Sequence, residues 1–135
     1  METDCYCTSL RVAARRASAI YDRALEPVGI TSAQWGLLRR VPQPGGEPIT
    51  IQDLADRAEL ERSTVARNIR VLEKRGLVEM TTSSTDRRAS AIVLTPDAVA
   101  VTAAAQPLWQ RAQREIEQAL SVESAGELRR LALSV

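Results

Sequence analysis

The chain is 135 residues long, enough for one folding unit, with 44% apolar and 26% charged residues, as expected of an ordinary globular protein. Histidine is absent, which removes the commonest general base and metal ligand and argues against most hydrolase and zinc chemistry; phenylalanine is absent too, so the core must be built from Leu, Ile, Val and Ala, which suits close helix packing. The formal charge of +1 is unevenly spread: Arg62 to Arg88 holds seven basic residues (Arg62, Arg67, Arg70, Lys74, Arg75, Arg87, Arg88) against three acidic ones (Glu73, Glu79, Asp86), and the remainder is net negative.

No basic region followed by an apolar run opens the chain and no stretch has the length of a membrane span, so a cytoplasmic protein is expected. From about Thr8 to Glu26, apolar residues at Leu10, Ala13, Ala14, Ala17, Ile20, Tyr21, Ala24 and Leu25 have the spacing of one helical face, and Pro27 and Gly29 end that helix. Thr31 is a good cap for a short second helix whose Trp35 and Leu38, with Leu37, turn inward, and Pro42 to Pro48 reads as a loop. Thr50 can cap a third helix to about Ala58, burying Ile51, Leu54, Ala55 and Ala58. After a brief turn at Glu59 and Leu60, a fourth helix runs from about Arg62 to Arg75 and stops at Gly76, a residue suited to the left-handed conformation beyond a helix end. Two helices joined by so short a turn make a helix-turn-helix candidate.

Leu77–Thr82 and Ala89–Leu94 have strand character and predict a hairpin with a basic tip. Thr95 before Pro96 starts a long helix reaching about Leu120. Its stripe of Val101, Ala105, Leu108, Ala112, Ile116 and Ala119 or Leu120 exceeds what the small domain can cover, and a last helix from Ser121–Glu123 carries Leu128, Leu131, Leu133 and Val135; a partner subunit is the natural cover.

At about 100° per residue the fourth helix places Val65, Ile69 and Leu72 on one face and Ser63, Arg67, Arg70 and Lys74 within about 60° of one another on the opposite face, with Thr64 and Asn68 on the flank. Such side chains read major-groove edges and phosphates. A solvated polar face is the bland alternative, but the outer face holds three cations and no acid and is followed by the basic hairpin. Asp86, Arg87 and Arg88 at that tip suit a minor-groove contact, where negative potential is strongest.

Six blocks in order carry a resemblance over nearly the whole chain: Gly29–Leu38, Ile51–Ala55, Ser63–Arg67, Leu72–Val78, Asp86–Arg88 and Val93–Thr95. On these the sequence resembles the MarR family of winged helix-turn-helix regulators; it departs at Pro96-Asp97-Ala98, where the family usually has a Gly two positions after the Thr. The resemblance implies a mainly α fold with a small β-hairpin wing, in one unit over 1–135: a DNA-binding region over 31–95 and helical dimerisation regions over 1–30 and 96–135. It further implies a homodimer whose Arg62, Ser63, Thr64, Arg67, Asn68, Arg70 and Lys74 meet successive major grooves of a pseudo-palindromic double-stranded operator, with Arg88 in the minor groove supported by Asp86, and repression as the common mode. An enzyme is not expected, nor a cofactor. The alternative is a winged-helix protein-interaction module without DNA contact, which would show apolar or acidic residues on the outer face of the fourth helix.

Cys5 and Cys7 allow several readings. Cys7 stands 24 residues before Thr31, the spacing of the reactive Cys in the organic-hydroperoxide sensors that this chain resembles, and Tyr21 matches a tyrosine that bonds that Cys from the partner subunit. The second tyrosine position is Ser32, and residue 11, sometimes another Tyr, is Arg11. Ordinary reduced thiols are the bland reading; a metal site lacks ligands, since Cys-x-Cys offers only two and no His completes it. Tyr21 and Trp35 could instead line a pocket for a small aromatic effector, as in other family members.

Overall fold

The computed structural model describes residues 4–83, 85 and 88–135. The order of elements is α1 (Tyr6–Leu25), a single 3-10 turn (Glu26–Val28), α2 (Ser32–Leu38), β1 (Ile49–Thr50), α3 (Ile51–Ala58), α4 (Arg62–Lys74), β2 (Val78–Thr82), β3 (Ser90–Leu94), α5 (Pro96–Leu120) and α6 (Val122–Ser134). This is a mainly α chain with a small antiparallel sheet. It divides into two compact units, one formed by Ser32–Ala105, the other by the residues up to Thr31 with Gln106–Val135.

In the Ser32–Ala105 unit, α2, α3 and α4 bury Trp35, Leu37, Leu38, Leu54, Val65, Ile69 and Leu72. The sheet has the order β1-β3-β2. The hairpin anticipated from the sequence pairs Val78 with Leu94 and Thr82 with Ser90. The third strand was not legible: β1 is two residues at the end of a Pro- and Gly-rich loop, and it becomes a strand only through pairing of Ile49 with Ile92 and Thr50 with Ala91. That loop is tied down where the Leu94 N–H donates to the Pro42 carbonyl at 2.9 Å.

The helix ends follow local chemistry. Thr50 Oγ1 accepts from the Asp53 N–H at 3.1 Å and caps α3. Gly76, at φ 72, ends α4 with two bonds, its own N–H to the Glu73 carbonyl and that of Leu77 to the Leu72 carbonyl, each 2.9 Å, the pattern of a left-handed helix stop. The start of α5 is locked to that stop: Thr95 Oγ1 accepts from the Ala98 N–H at 3.2 Å and donates to the Gly76 carbonyl at 2.6 Å.

In the other unit, α1 begins two residues earlier than the periodicity suggests, with Cys5 at the cap position. Tyr21 of α1 hydrogen-bonds Gln113 of α5, and exposed ion pairs join Arg23 to Glu115 and Arg129 to Glu117 at 3.3 Å each. Leu10, Leu128, Leu131 and Leu133 stand exposed in the single chain. Pro107 lies inside α5, where it supplies no N–H to the carbonyl one turn back. The helix runs on through it. No helix among the described residues is long and apolar enough to cross a membrane.

Candidate nucleic-acid interface

Three residues, Glu59, Leu60 and Glu61, separate α3 from α4. The reversal is possible because Glu59 takes up φ 54, so that the Leu60 N–H reaches the Ala55 carbonyl at 3.0 Å and the Glu59 N–H reaches Asp56 at 3.2 Å. The hydrophobic arc of α4 is then pinned against the core, with Val65 and Leu72 at 0% exposure and Ile69 at 2%. Burial of that arc fixes the opposite one: Arg62, Ser63, Arg67, Arg70 and Lys74 are exposed, while Thr64 and Asn68 are half-buried.

Among the described residues no carboxylate pairs with Arg62, Arg67, Arg70 or Lys74; the pairs Arg23–Glu115, Arg129–Glu117 and Arg130–Glu127 lie in the other unit. Two side chains of the helix turn back on it. The Asn68 amide donates to the Thr64 carbonyl at 3.0 Å, and Arg70 Nε donates to the Ala66 carbonyl at 3.4 Å. Periodicity alone could not reveal this for Asn68, because the competing acceptor is its own backbone one turn earlier.

The turn end of the hairpin comes close to the starts of α3 and α4. A cleft of about 410 Å³ is lined by Thr50, Gln52, Asp53, Arg62, Ser83 and Arg88, so the structure brings Arg88 and Arg62 to one place. Gln52 was not singled out from the sequence; it belongs here because it starts α3 beside the sheet, a proximity created by β1 pairing with β3. Asp86 and Arg87 lie outside the described residues.

The remaining candidates fall elsewhere. Cys5 and Cys7 are exposed, and neither is in a disulfide. Hydrogen bonds from Thr8, through its side chain and then its backbone, hold the Cys5 thiol below the usual thiol range. Tyr21 is half-buried; burial raises its phenol pKa, Arg129 works against that and Glu117 adds to it. Tyr21 lies fourteen positions after Cys7 on α1, a rise of about 21 Å, so the two cannot meet within one chain. Trp35 is 5% exposed and belongs to the core of the Ser32–Ala105 unit, with the Arg39 guanidinium 5.7 Å from its ring centroid. It therefore lies in a different unit from Tyr21. Among the described residues no group of three side chains could hold a metal ion.

The model of the MarR family matches residues 28–89, which span α2, β1, α3, α4 and β2 and end just before β3. A solved structure of the Mycobacterium tuberculosis transcriptional regulator MosR in complex with DNA is 34% identical over 97% of this chain and 92% of that one, with a TM-score of 0.84. This chain belongs to the MarR family. The same fold recurs in a probable transcriptional regulator from Pseudomonas aeruginosa, 24% identical over 97% of this chain and 96% of that one with a TM-score of 0.85. It recurs again in a mutant of Escherichia coli MarR complexed with operator DNA, 20% identical over 94% and 90% of the two chains with a TM-score of 0.82. As a MarR-family protein the chain is a transcriptional regulator rather than an enzyme.

Proposed function

We propose that this chain is a sequence-specific double-stranded DNA-binding regulator that works in the cytoplasm as a homodimer. In this reading the residues over 31–95 form the DNA-binding region, and the helices over 1–30 and 96–135 join two copies. The observation that carries it is the outer face of α4, where exposed Arg67, Arg70 and Lys74 lack carboxylate partners among the described residues and continue toward Arg62, which lines one cleft with Arg88 of the wing. Such a face attracts phosphates and releases their counterions, and an Arg can read guanine. Ser63 and Thr64 at the start of the helix suit phosphate or base contacts, and Arg88, with Arg87 and Asp86, suits the minor groove. The MosR and MarR structures solved with DNA support the assignment. A protein-interaction module is disfavoured by the same cationic face.

Repression released by a chemical signal fits best, and Cys5 and Cys7 are the candidate receptors. A thiolate of this pair attacks the terminal oxygen of an organic hydroperoxide and breaks the O–O bond, leaving a sulfenate and the alcohol; the protonated sulfenic acid then condenses with the other thiol to a disulfide and water. Hydrogen bonds from Thr8 favour the Cys5 thiolate, and Cys7 holds the position of the reactive Cys in the hydroperoxide sensors that this chain resembles. Tyr21 would act from the partner subunit. The alternative effector is a small aromatic molecule.

The test is binding of the purified protein to DNA from around its own gene at several salt concentrations, for wild type and Arg88→Ala, with and without cumene hydroperoxide and again with Cys5→Ser or Cys7→Ser. Tight wild-type binding with a steep salt slope that flattens by about one in Arg88→Ala is expected. Peroxide should release DNA only when both thiols are present. Salt-insensitive or absent binding would overturn the DNA reading; release that survives both Cys replacements would remove the thiols from it.

A further inference from the structure

The exposed part of α4 carries one apolar side chain among its cations. Val71 is 44% exposed, although Val65, Ile69 and Leu72 complete the buried arc without it. At about 100° per residue Val71 lies some 40° from Arg67, one turn earlier, and some 60° from Lys74, one turn later. Arg75, at the end of the helix, hydrogen-bonds Gln34 of α2 at 3.4 Å, which sets this flank toward α2.

A solitary surface valine ordinarily needs no explanation. Here its neighbours are the cations that DNA would cover, so a duplex seated against Arg67 and Lys74 also dehydrates Val71. Major-groove base edges offer one apolar group, the C5-methyl of thymine. We propose that Val71 is a specificity-determining residue that packs on a thymine methyl beside the base pair met by Arg67. This rests on the DNA-binding reading above. The side chain suits the task, because a helical valine is nearly confined to one rotamer and loses little freedom on contact.

The probe is a duplex enriched by the wild-type protein from a randomised library, in which each thymine is then replaced by deoxyuridine, one symmetric pair at a time. Removing the methyl at one pair should weaken wild-type binding about fourfold per half-site, the effect of leaving one methyl-sized group unburied. In Val71→Ala the same replacement should cost nothing. Alanine is the better helix former and the site is exposed, so the variant folds. The proposal is overturned if no thymine position affects the wild type, or if the penalty is equally large in Val71→Ala. If no duplex is enriched at all, the DNA-binding reading fails and this inference with it; an enriched duplex indifferent to its methyls removes this inference alone.

Discussion

Glu59 holds the tightest conformational demand in the helix-turn-helix. Its φ of 54 places a side chain where the following carbonyl crowds Cβ, at a cost of about 1–2 kcal/mol, and only glycine escapes that cost. A glycine also gives the unfolded chain more freedom, which returns about 0.5–1 kcal/mol of the gain. Glu59→Gly should therefore stabilise the protein by about 0.5–1 kcal/mol, seen as a melting temperature roughly 2–4 °C higher at fixed protein concentration. A lower melting temperature would mean that the Glu59 side chain makes a compensating contact. The sequence showed a turn at Glu59 and Leu60 but not its handedness, because the usual marker, a glycine, is missing; at Gly76 that marker is present and the stop was legible. Asn68 repeats the point: the helical wheel gives its flank position, whereas its bond to the Thr64 carbonyl depends on a rotamer.

Thr95 shows how elements are tied together. Its hydroxyl caps α5 and, as donor, holds the carbonyl of Gly76, so one side chain secures the start of one helix and the stop of another. Thr95→Val keeps the shape and removes both bonds, and it should cost about 1–2 kcal/mol, measurable as a lower urea midpoint with an unchanged slope. Thr95→Ser should recover most of the loss; if Val and Ser behave alike, the hydroxyl contributes nothing. The cap could be foreseen, since Thr before Pro is a local signal, but the bond to Gly76 spans 19 residues and follows from how the hairpin returns the chain. β1 was hidden for the same reason. Pro107 went unremarked in the sequence, where the surrounding apolar periodicity continues past it, and α5 runs through it from Pro96 to Leu120.

At the scale of the whole molecule, the cationic stretch from Arg62 to Arg88 sits in the Ser32–Ala105 unit, and most of the exposed large apolar side chains among the described residues belong to the two ends of the chain, which form the other. Leu128 and Leu131 of α6 are each 47% exposed, Leu133 92%, and Leu10 of α1 57%. A helix with this much apolar surface is covered in a stable protein, and the dimer proposed above supplies the cover. Leu131→Glu should then leave the helix content of the chain intact, since the residue is already half in water, while shifting sedimentation from dimer to monomer. Affinity for the operator duplex should fall at least tenfold, because a monomer engages one half-site and loses the second set of contacts that the dimer makes at high effective concentration. The two readouts separate the claims. A variant that stays dimeric means that α6 does not hold the copies together at Leu131, whereas a monomer that binds the duplex as tightly as wild type means that one cationic α4 face is sufficient for recognition and that operator symmetry plays no part in it.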